Sequence, residues 1–181
     1  MTAKRKFMMV IDADIARAAG ETVHPVSGNC RNFLEAVKNN GHILVMTHEI
    51  CDEWNRHQSN FSRCWRKYMV SRKQFRMLKI QKNEKSEREL PALGLTDKQE
   101  KIALKDCHLV DAAIKSGKTI ASGDDEAKYV FSVASEKKII LKDLIWVNPK
   151  TMGTVLTGWL ENKNRPEKRW FLSGYNVRTC S

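Results

Sequence analysis

The sequence has few glycines and prolines, no long apolar run and no repeated segment. Its 181 residues include 9 glycines and 4 prolines, whereas 41% of them are hydrophobic and 29% charged. This composition excludes collagen-like, mucin-like and wholly disordered chains. The length suits one globular unit with a sizeable core, so we predict a single domain over residues 1–162, followed by a basic C-terminal tail over 163–181.

Segments that would cross a membrane or direct secretion are also lacking. The apolar runs 7–11 and 42–46 are about a quarter of the roughly twenty residues that a membrane-spanning helix needs. Asp12 and Asp14 interrupt the first run before it reaches the length of a secretory signal. We therefore expect a cytoplasmic protein without a membrane partner.

Cysteine and histidine patterns that would bind a structural metal are absent. The five cysteines are odd in number and scattered, and no two of them form a C-x-x-C pair. Such a pattern indicates neither a disulfide framework nor a structural zinc site, so we expect reduced thiols. The five histidines show no metal-ligand spacing, and the sequence assigns no role to them.

Positive charge, by contrast, is abundant and concentrated in one segment. The formal net charge is +11, and residues 63–88 contribute +8 of it with ten basic and two acidic residues. An excess of this kind indicates a polyanionic partner. The segment forms a predicted basic helical insert at about 61–95, in which Trp65 and Tyr68 either stack on unpaired bases or belong to the core. The predicted phosphate contacts are Arg63, Arg66, Lys67, Arg72, Lys73 and Arg76.

Apolar runs alternate with segments of helical periodicity along most of the chain. This alternation predicts an α/β fold, a three-layer α/β/α sandwich with a mainly parallel central sheet and a ligand site at the carboxyl ends of the strands. Residues 82–95 lack a clear period and predict a long exposed loop. The predicted strands include 7–11, 42–46 and 119–121, and the predicted helices are 32–40, 48–58, 61–80, 106–117, one capped by Asp124, and one from Pro149 to about Asn162.

Four acidic residues occupy positions that such a fold would bring together. Asp12 follows the first strand, Glu53 lies in the helix after the second, Asp106 begins a helix, and Asp124 follows the strand at 119–121. Carboxylates that converge raise one another's pKa, so a site that keeps them ionised usually holds Mg²⁺ or Mn²⁺. Such an ion activates water and stabilises charge on a phosphoryl group. Acids with basic surroundings therefore suggest a nuclease.

The spacing of these acids resembles that of the PIN-domain ribonucleases over most of residues 6–160. The segments that carry the resemblance are 9–14 (Met-Val-Ile-Asp-Ala-Asp), 45–54 and 106–124. In that family an acid follows the first strand and a glutamate lies in the helix after the second. A further Asp lies eleven residues before a Gly that precedes the last Asp by seven, and Asp106, Gly117 and Asp124 satisfy this spacing.

The resemblance implies Mg²⁺- or Mn²⁺-dependent hydrolysis of RNA. It implies that Asp12, Glu53, Asp106 and Asp124 are the catalytic, metal-binding residues, and it makes a cognate antitoxin an expected partner because many members are toxins. Asp14 stands where the family commonly has Asn, Ser or Thr, and we predict it as a further ligand. DNA as a substrate and a homodimer are left open.

Each of these acids also has a structural alternative. Asp12 and Asp124 could cap helices, since Asp after a strand is a common N-cap. Glu49 lies one helical turn before Glu53 and is its alternative. Asp111 and Asp106 are about 140° apart on a helix and cannot both face one point; we select Asp106.

Two other functions compete with the nuclease hypothesis. The residues 12–14, Thr47 and 123–125 also resemble haloacid dehalogenase-like phosphatases, in which Asp12 would be a covalent nucleophile assisted by Lys105 or Lys118. A phosphatase would form an aspartyl phosphate, whereas the nuclease would not. The other alternative is a non-catalytic nucleic-acid-binding protein, whose binding would not depend on divalent ions.

Overall fold

The fold is a three-layer α/β/α sandwich in a computed structural model that describes residues 6–81 and 84–175. The strands are β1 (Met8–Ile11), β2 (Ile43–Met46), β3 (Phe75–Met77), β4 (Thr119–Ala121) and β5 (Ile145–Val147). The α-helices are α1 (Ala13–Ala18), α2 (Pro25–Asn39), α3 (His48–His57), α4 (Asn60–Ser71), α5 (Asp97–Ile114), α6 (Asp125–Ser135) and α7 (Pro149–Asn162). Short 3₁₀ helices cover Ser86–Arg88, Leu90–Leu93, Ile139–Leu141, Lys168–Trp170 and Leu172–Gly174.

All five strands are parallel and lie in the order β3-β2-β1-β4-β5. The chain moves from β1 to β2 and β3 in one direction, then crosses through α5 to β4 on the other side of β1. Because such crossovers are right-handed, the helices of the two halves cover opposite faces, with α2 packed on α7 and α5 packed on α6. The predicted fold class is confirmed. Successive strands are added on one side of β1 and then on the other, and this change in strand order leaves a crevice at the carboxyl ends of β1 and β4, where α/β folds bind ligands.

The centre of the sheet is fully buried. Met9, Val10 and Ile11 have no exposed surface, as expected for a strand that is covered on both faces and therefore reads as a continuous apolar run. In the parallel register Ile11 lies beside Ala121. The residues that follow these two therefore leave the sheet next to each other, at the mouth of the crevice.

The predicted helix over 61–80 is wrong in its second half. α4 ends at Ser71, and Phe75–Met77 is the edge strand β3, which pairs with β2. Lys73, between the two elements, has a φ of 58°, a left-handed conformation that ends a helix. The apolar spacing of Phe75 fits a helix locally, but hydrogen bonds to β2 decide the outcome. The predicted basic insert at 61–95 is therefore helical at its start and then joins the sheet.

Segments predicted as exposed loop and tail contribute to the core. In the 82–95 segment, of which residues 82 and 83 lie outside the described ranges, Leu90 and Leu93 are buried. Beyond α7, Trp170 and Leu172 are buried as well, and the Leu172 N–H donates to the Leu144 carbonyl oxygen at 2.9 Å. The predicted tail therefore packs beside β5 as far as it is described, to residue 175. No helix in the described ranges has the length and apolar character to cross a membrane.

Gly117 is required by the close approach of its loop to β1, which gives a first test of the fold. A Cβ on Gly117 would stand 1.9 Å from the Met8 carbonyl oxygen. Gly117→Ala should therefore lower the free energy of unfolding by about 1–3 kcal/mol, because β1 would have to shift. Gly158 in α7 has nothing within 4 Å of such a Cβ, so Gly158→Ala should stabilise the protein by about 0.5–1 kcal/mol. Urea denaturation measures both changes, and wild-type stability of Gly117→Ala would contradict the packing described.

Candidate active site

A pocket of about 430 Å³ opens at the carboxyl ends of β1 and β4. All four acids selected from the sequence line it, together with Asp14. The structure also places there four basic residues that the sequence did not single out, together with Asp125 and Lys105, which it named only for the phosphatase alternative. The acidic lining residues are Asp12, Asp14, Glu53, Asp106, Asp124 and Asp125, and the basic ones are Arg17, Arg56, His57, Lys105 and Lys150.

Asp12 combines a helix cap with a place in the pocket. Its Oδ1 accepts the Asp14 N–H at 3.3 Å as the N-cap of α1, and its Oδ2 accepts the Ser122 hydroxyl at 2.7 Å. Burial and the neighbouring charge of Asp14 raise the pKa of Asp12 to about 6. The predicted capping alternative is therefore confirmed, but it does not remove Asp12 from the pocket.

Asp124 also both caps a helix and lines the pocket, on the β4 side of the crevice. Its Oδ1 accepts the Ala127 N–H at 2.8 Å and caps α6, while its Oδ2 accepts from Lys105 Nζ at 3.3 Å. Its own N–H donates to Ser122 Oγ at 3.1 Å. Since Ser122 also donates to Asp12, one hydroxyl links the ends of β1 and β4 and holds both acids in position.

Asp106 is the most deeply buried of the four acids. It is 5% exposed, and its Oδ2 has no hydrogen-bond partner among the described residues. Burial raises the pKa of Asp106 to about 7, with Lys105 opposing the shift and Asp12 adding to it. Asp111 instead accepts the Ser86 N–H with both carboxylate oxygens, at 3.0 and 3.2 Å. Asp106 is thus the α5 acid that reaches the pocket. The prediction that Asp106 begins a helix is wrong, because α5 runs from Asp97 to Ile114 with Thr96 as its N-cap.

Glu53 reaches the pocket from α3. Trp54, the next residue, fixes the position of this helix. Trp54 Nε1 donates to the Ile11 carbonyl oxygen at 2.8 Å, which ties α3 to the end of β1. Glu53 Oε2 lies 3.0 Å from His108 Nε2, and this hydrogen bond lowers the pKa of Glu53. Burial opposes protonation of His108, but the contact with Glu53 outweighs it and raises the His108 pKa. Glu49, the alternative, pairs with Lys85 at 3.4 Å outside the pocket.

His108 was missed because no spacing signal identifies it. It lies two residues after Asp106 on α5, so it points about 200° around the helix from that acid. From there it meets α3 and lines the neighbouring pocket rather than the acidic one. Only the packing of α3 against α5 brings it to Glu53.

Asp14, predicted as a further ligand, is held by two donors. Its Oδ2 accepts from Lys150 Nζ at 2.6 Å and from the Gly123 N–H at 3.0 Å. Its Oδ1 is buried without a hydrogen-bond partner among the described residues. Lys150 was missed although a signal existed, since it lies three residues after the end of β5, at the same edge of the sheet as the acids.

The donor chemistry of the pocket suits a hard divalent cation. Its acidic lining offers carboxylate oxygens, the ligands that Mg²⁺ and Mn²⁺ prefer. The buried Oδ2 of Asp106, which lacks a partner among the described residues, would gain one from such an ion. The pKa values of Asp12 and Asp106 are raised to about 6 and about 7, so a nearby positive charge would favour the ionised form of both carboxylates. The residues present therefore fit the metal that the family resemblance implies.

The side chains nevertheless do not converge into a closed ligand set. Within residues 6–81 and 84–175, no three His, Cys, Asp or Glu side chains are grouped closely enough to hold a metal ion. Nitrogen donors hold three of the acids instead: Lys150 holds Asp14, Lys105 holds Asp124 and His108 holds Glu53. Binding of an ion would therefore require at least some of these side chains to change partners.

The six basic residues predicted to contact phosphates lie outside the acidic pocket. Arg66 bonds to Asn55 Oδ1 at 2.6 Å on the α3–α4 surface. Arg72 and Lys73 line a separate pocket of about 550 Å³ at the amino end of β2, which also contains Lys6 and Lys38. Five of the six are exposed, and Arg66 is partly buried; the exposed ones are Arg63, Lys67, Arg72, Lys73 and Arg76.

The aromatic residues of the same segment divide between core and surface. Trp65 is buried and its Nε1 donates to the Leu34 carbonyl oxygen at 2.8 Å, so it belongs to the core and cannot stack on a base. Tyr68 is 39% exposed, and its ring lies under the Arg72 guanidinium and the Lys38 ammonium at 5.3 and 5.2 Å. Of the two, Tyr68 alone remains a candidate for contact with nucleic acid.

No family model, curated protein or solved structure matches the chain. The resemblance to PIN-domain ribonucleases therefore depends on the spacing of residues in the sequence alone. For the phosphatase alternative, Lys118 pairs with Asp143 at 3.3 Å at the amino end of β4, away from the pocket. Of the two lysines named for the phosphatase, Lys105 is therefore the one that lines the pocket.

The buried carboxylate of Asp106 should make the metal-free protein less stable as the pH rises. Its pKa of about 7 in the folded state exceeds the ordinary value of 3.8, so between these pH values the folded protein binds more protons than the unfolded chain and loses stability with increasing pH. Asp106→Asn removes this titration, so the loss between pH 4 and 7 should be smaller in that variant. Urea denaturation in EDTA measures the difference. Asp143→Asn, an exposed control, should behave as wild type; a pH dependence of Asp106→Asn equal to that of wild type would show that this carboxyl is not perturbed.

Proposed function

We propose that the protein is a Mg²⁺- or Mn²⁺-dependent nuclease that hydrolyses RNA phosphodiester bonds in the acidic pocket. The observation that carries the proposal is that Asp12, Glu53, Asp106 and Asp124, from four different elements, line one pocket at the strand ends. A buried carboxylate without a partner, such as Asp106, lowers stability. Perturbed acids that line a cleft are typical of functional sites.

The proposed roles of the acids follow from their contacts. Asp12 and Asp106 would hold the metal ion, with Glu53 and Asp124 completing its ligands. When bound, the ion supplies an activated water and neutralises charge on the phosphoryl group. Ser122 keeps Asp12 oriented through its 2.7 Å hydrogen bond.

The roles proposed for the basic residues follow from their placement. His108 on α5 would favour the ionised form of Glu53 on α3 and orient its side chain through the hydrogen bond between them. Arg17 and Arg56, which line the same pocket, would bind phosphate oxygens of the substrate through their guanidinium groups. The acids would thus act on the scissile phosphate, while the arginines fix the position of the strand.

The choice of RNA as substrate combines charge with the family resemblance. The net charge of +11 favours a polyanion, and exposed cations on α4, such as Arg63 and Lys67, offer contacts to phosphates outside the pocket. RNA rather than DNA, and an antitoxin as regulator, are proposed from the resemblance alone. We also propose a cytoplasmic location, where the scattered cysteines would stay reduced.

Cleavage of RNA by the purified protein tests the proposal. Mixed single-stranded and structured RNA should be cut with Mn²⁺ or Mg²⁺ and left intact with EDTA. Asp12→Asn and Asp106→Asn should each reduce cleavage by at least about 100-fold, a loss typical of groups that stabilise the transition state directly. Both variants should still bind RNA in EDTA, because each loses a negative charge.

The controls separate the nuclease from its alternatives. Asp143→Asn, which changes an exposed acid outside the pocket, should cleave as wild type. Wild-type cleavage by Asp12→Asn and Asp106→Asn would contradict the assignment of the site. Release of phosphate from an aryl phosphate through an acid-stable aspartyl phosphate would support the phosphatase instead, and strong RNA binding that ignores divalent ions and never leads to cleavage would support the non-catalytic alternative.

A further inference from the structure

The ammonium group of Lys150 is a fixed part of the acidic pocket. Its Nζ lies 2.6 Å from Asp14 Oδ2, and the two side chains are 25% and 20% exposed. Lys105, the other lysine of the pocket, pairs with Asp124 at 3.3 Å but is 71% exposed. Of the two lysines of the pocket, Lys150 is therefore enclosed, whereas Lys105 extends from the surface.

Backbone and side-chain contacts from three elements position Lys150. Its N–H donates to Asn148 Oδ1 at 3.0 Å, which caps α7, and its carbonyl oxygen accepts from Asn29 Nδ2 of α2 at 3.0 Å. Its aliphatic chain crosses Gly123, where a Cβ would stand 2.6 Å from Lys150 Cδ, Cε and Nζ. The absence of a side chain at Gly123 thus leaves the space through which the lysine reaches Asp14.

Lys150 also neutralises the negative charge of Asp14, which stands where the PIN-domain family commonly has Asn, Ser or Thr. Asp14 adds a negative charge to a pocket that already contains Asp12 and Asp106, and its charge helps to raise the pKa of Asp12. The two acids are adjacent at the start of α1, where the backbone N–H of Asp14 donates to Asp12 Oδ1 at 3.3 Å, and their carboxylate oxygens are ligands that divalent cations prefer. The ammonium of Lys150 already occupies one side of Asp14.

We propose that Lys150 takes the place of a second divalent cation, so that the pocket binds a single metal ion. This inference rests on the proposed function and specifies the cation content of the same site. The ion would bind to the Asp12 and Asp106 side, while the Lys150 ammonium neutralises Asp14. An ammonium has three N–H donors, so Lys150 retains donors for a phosphate oxygen of the substrate, the role that a second metal ion plays in two-metal nucleases.

The number of Mn²⁺ ions bound per chain tests this inference without measuring activity. Isothermal titration calorimetry with Mn²⁺ alone should give one ion for the wild-type protein and two for Lys150→Met, because Asp14 then loses its ammonium partner. Lys150→Arg keeps the charge and should bind one ion. Asp14→Asn/Lys150→Met removes the freed carboxylate and should also return to one.

A matched control and the remaining outcomes make the test decisive. Lys105→Met removes the exposed lysine of the same pocket and should leave one ion, since Asp124 already belongs to the proposed ligand set. Two ions in the wild-type protein would overturn the inference. One ion in Lys150→Met would also overturn it, provided that circular dichroism shows this variant to be folded. If the wild-type protein still cleaves RNA in either case, the nuclease proposal is retained. No Mn²⁺ binding together with no cleavage would reject both.

Discussion

The parallel pairing of β1 with β4 at the centre of the sheet is the constraint on which the site depends. Because Ile11 lies beside Ala121, Asp12 and Ser122 leave the sheet as neighbours, and the Ser122 hydroxyl can donate to Asp12 and accept from the Asp124 N–H. The strand order changes direction between β1 and β4, and this change opens the crevice. A change in the register by one residue would separate all of these groups.

The site is built from groups that oppose the stability of the fold. Burial raises the pKa values of Asp12 and Asp106, and an acid without a partner in the interior is unfavourable. Hydrogen bonds from Lys150 and Lys105 offset part of the negative charge in the absence of a metal. The same nitrogen contacts explain how the pocket can contain the acids without forming a closed ligand set.

Local patterns predicted most of the layered fold and the main acids. Apolar runs located β1 and β2, and the side-chain cap at Asp124 located the start of α6. The angle between residues on a helix indicated that Asp106 and Asp111 could not share a site, and the structure places Asp106 in the pocket and Asp111 against the Ser86 N–H. These features depend on neighbours in the chain, so periodicity and capping rules could detect them.

Features that depend on distant contacts were not predicted. β3 resembles part of a helix until it pairs with β2, and the segment around Trp170 resembles a tail until it packs beside β5. His108 meets Glu53 across 55 residues of sequence, and Lys150 meets Asp14 across 136. No local period reports such contacts, although the rule that strand ends converge could have located Lys150.

The most direct test of the central claim is the position of Mn²⁺ in crystals of the protein, measured by anomalous scattering. The proposed function predicts an anomalous peak in the acidic pocket, coordinated by the carboxylates of Asp12 and Asp106. A peak only at other sites, or none in crystals that contain Mn²⁺ and an open pocket, would contradict the claim that these acids form a metal-binding active site.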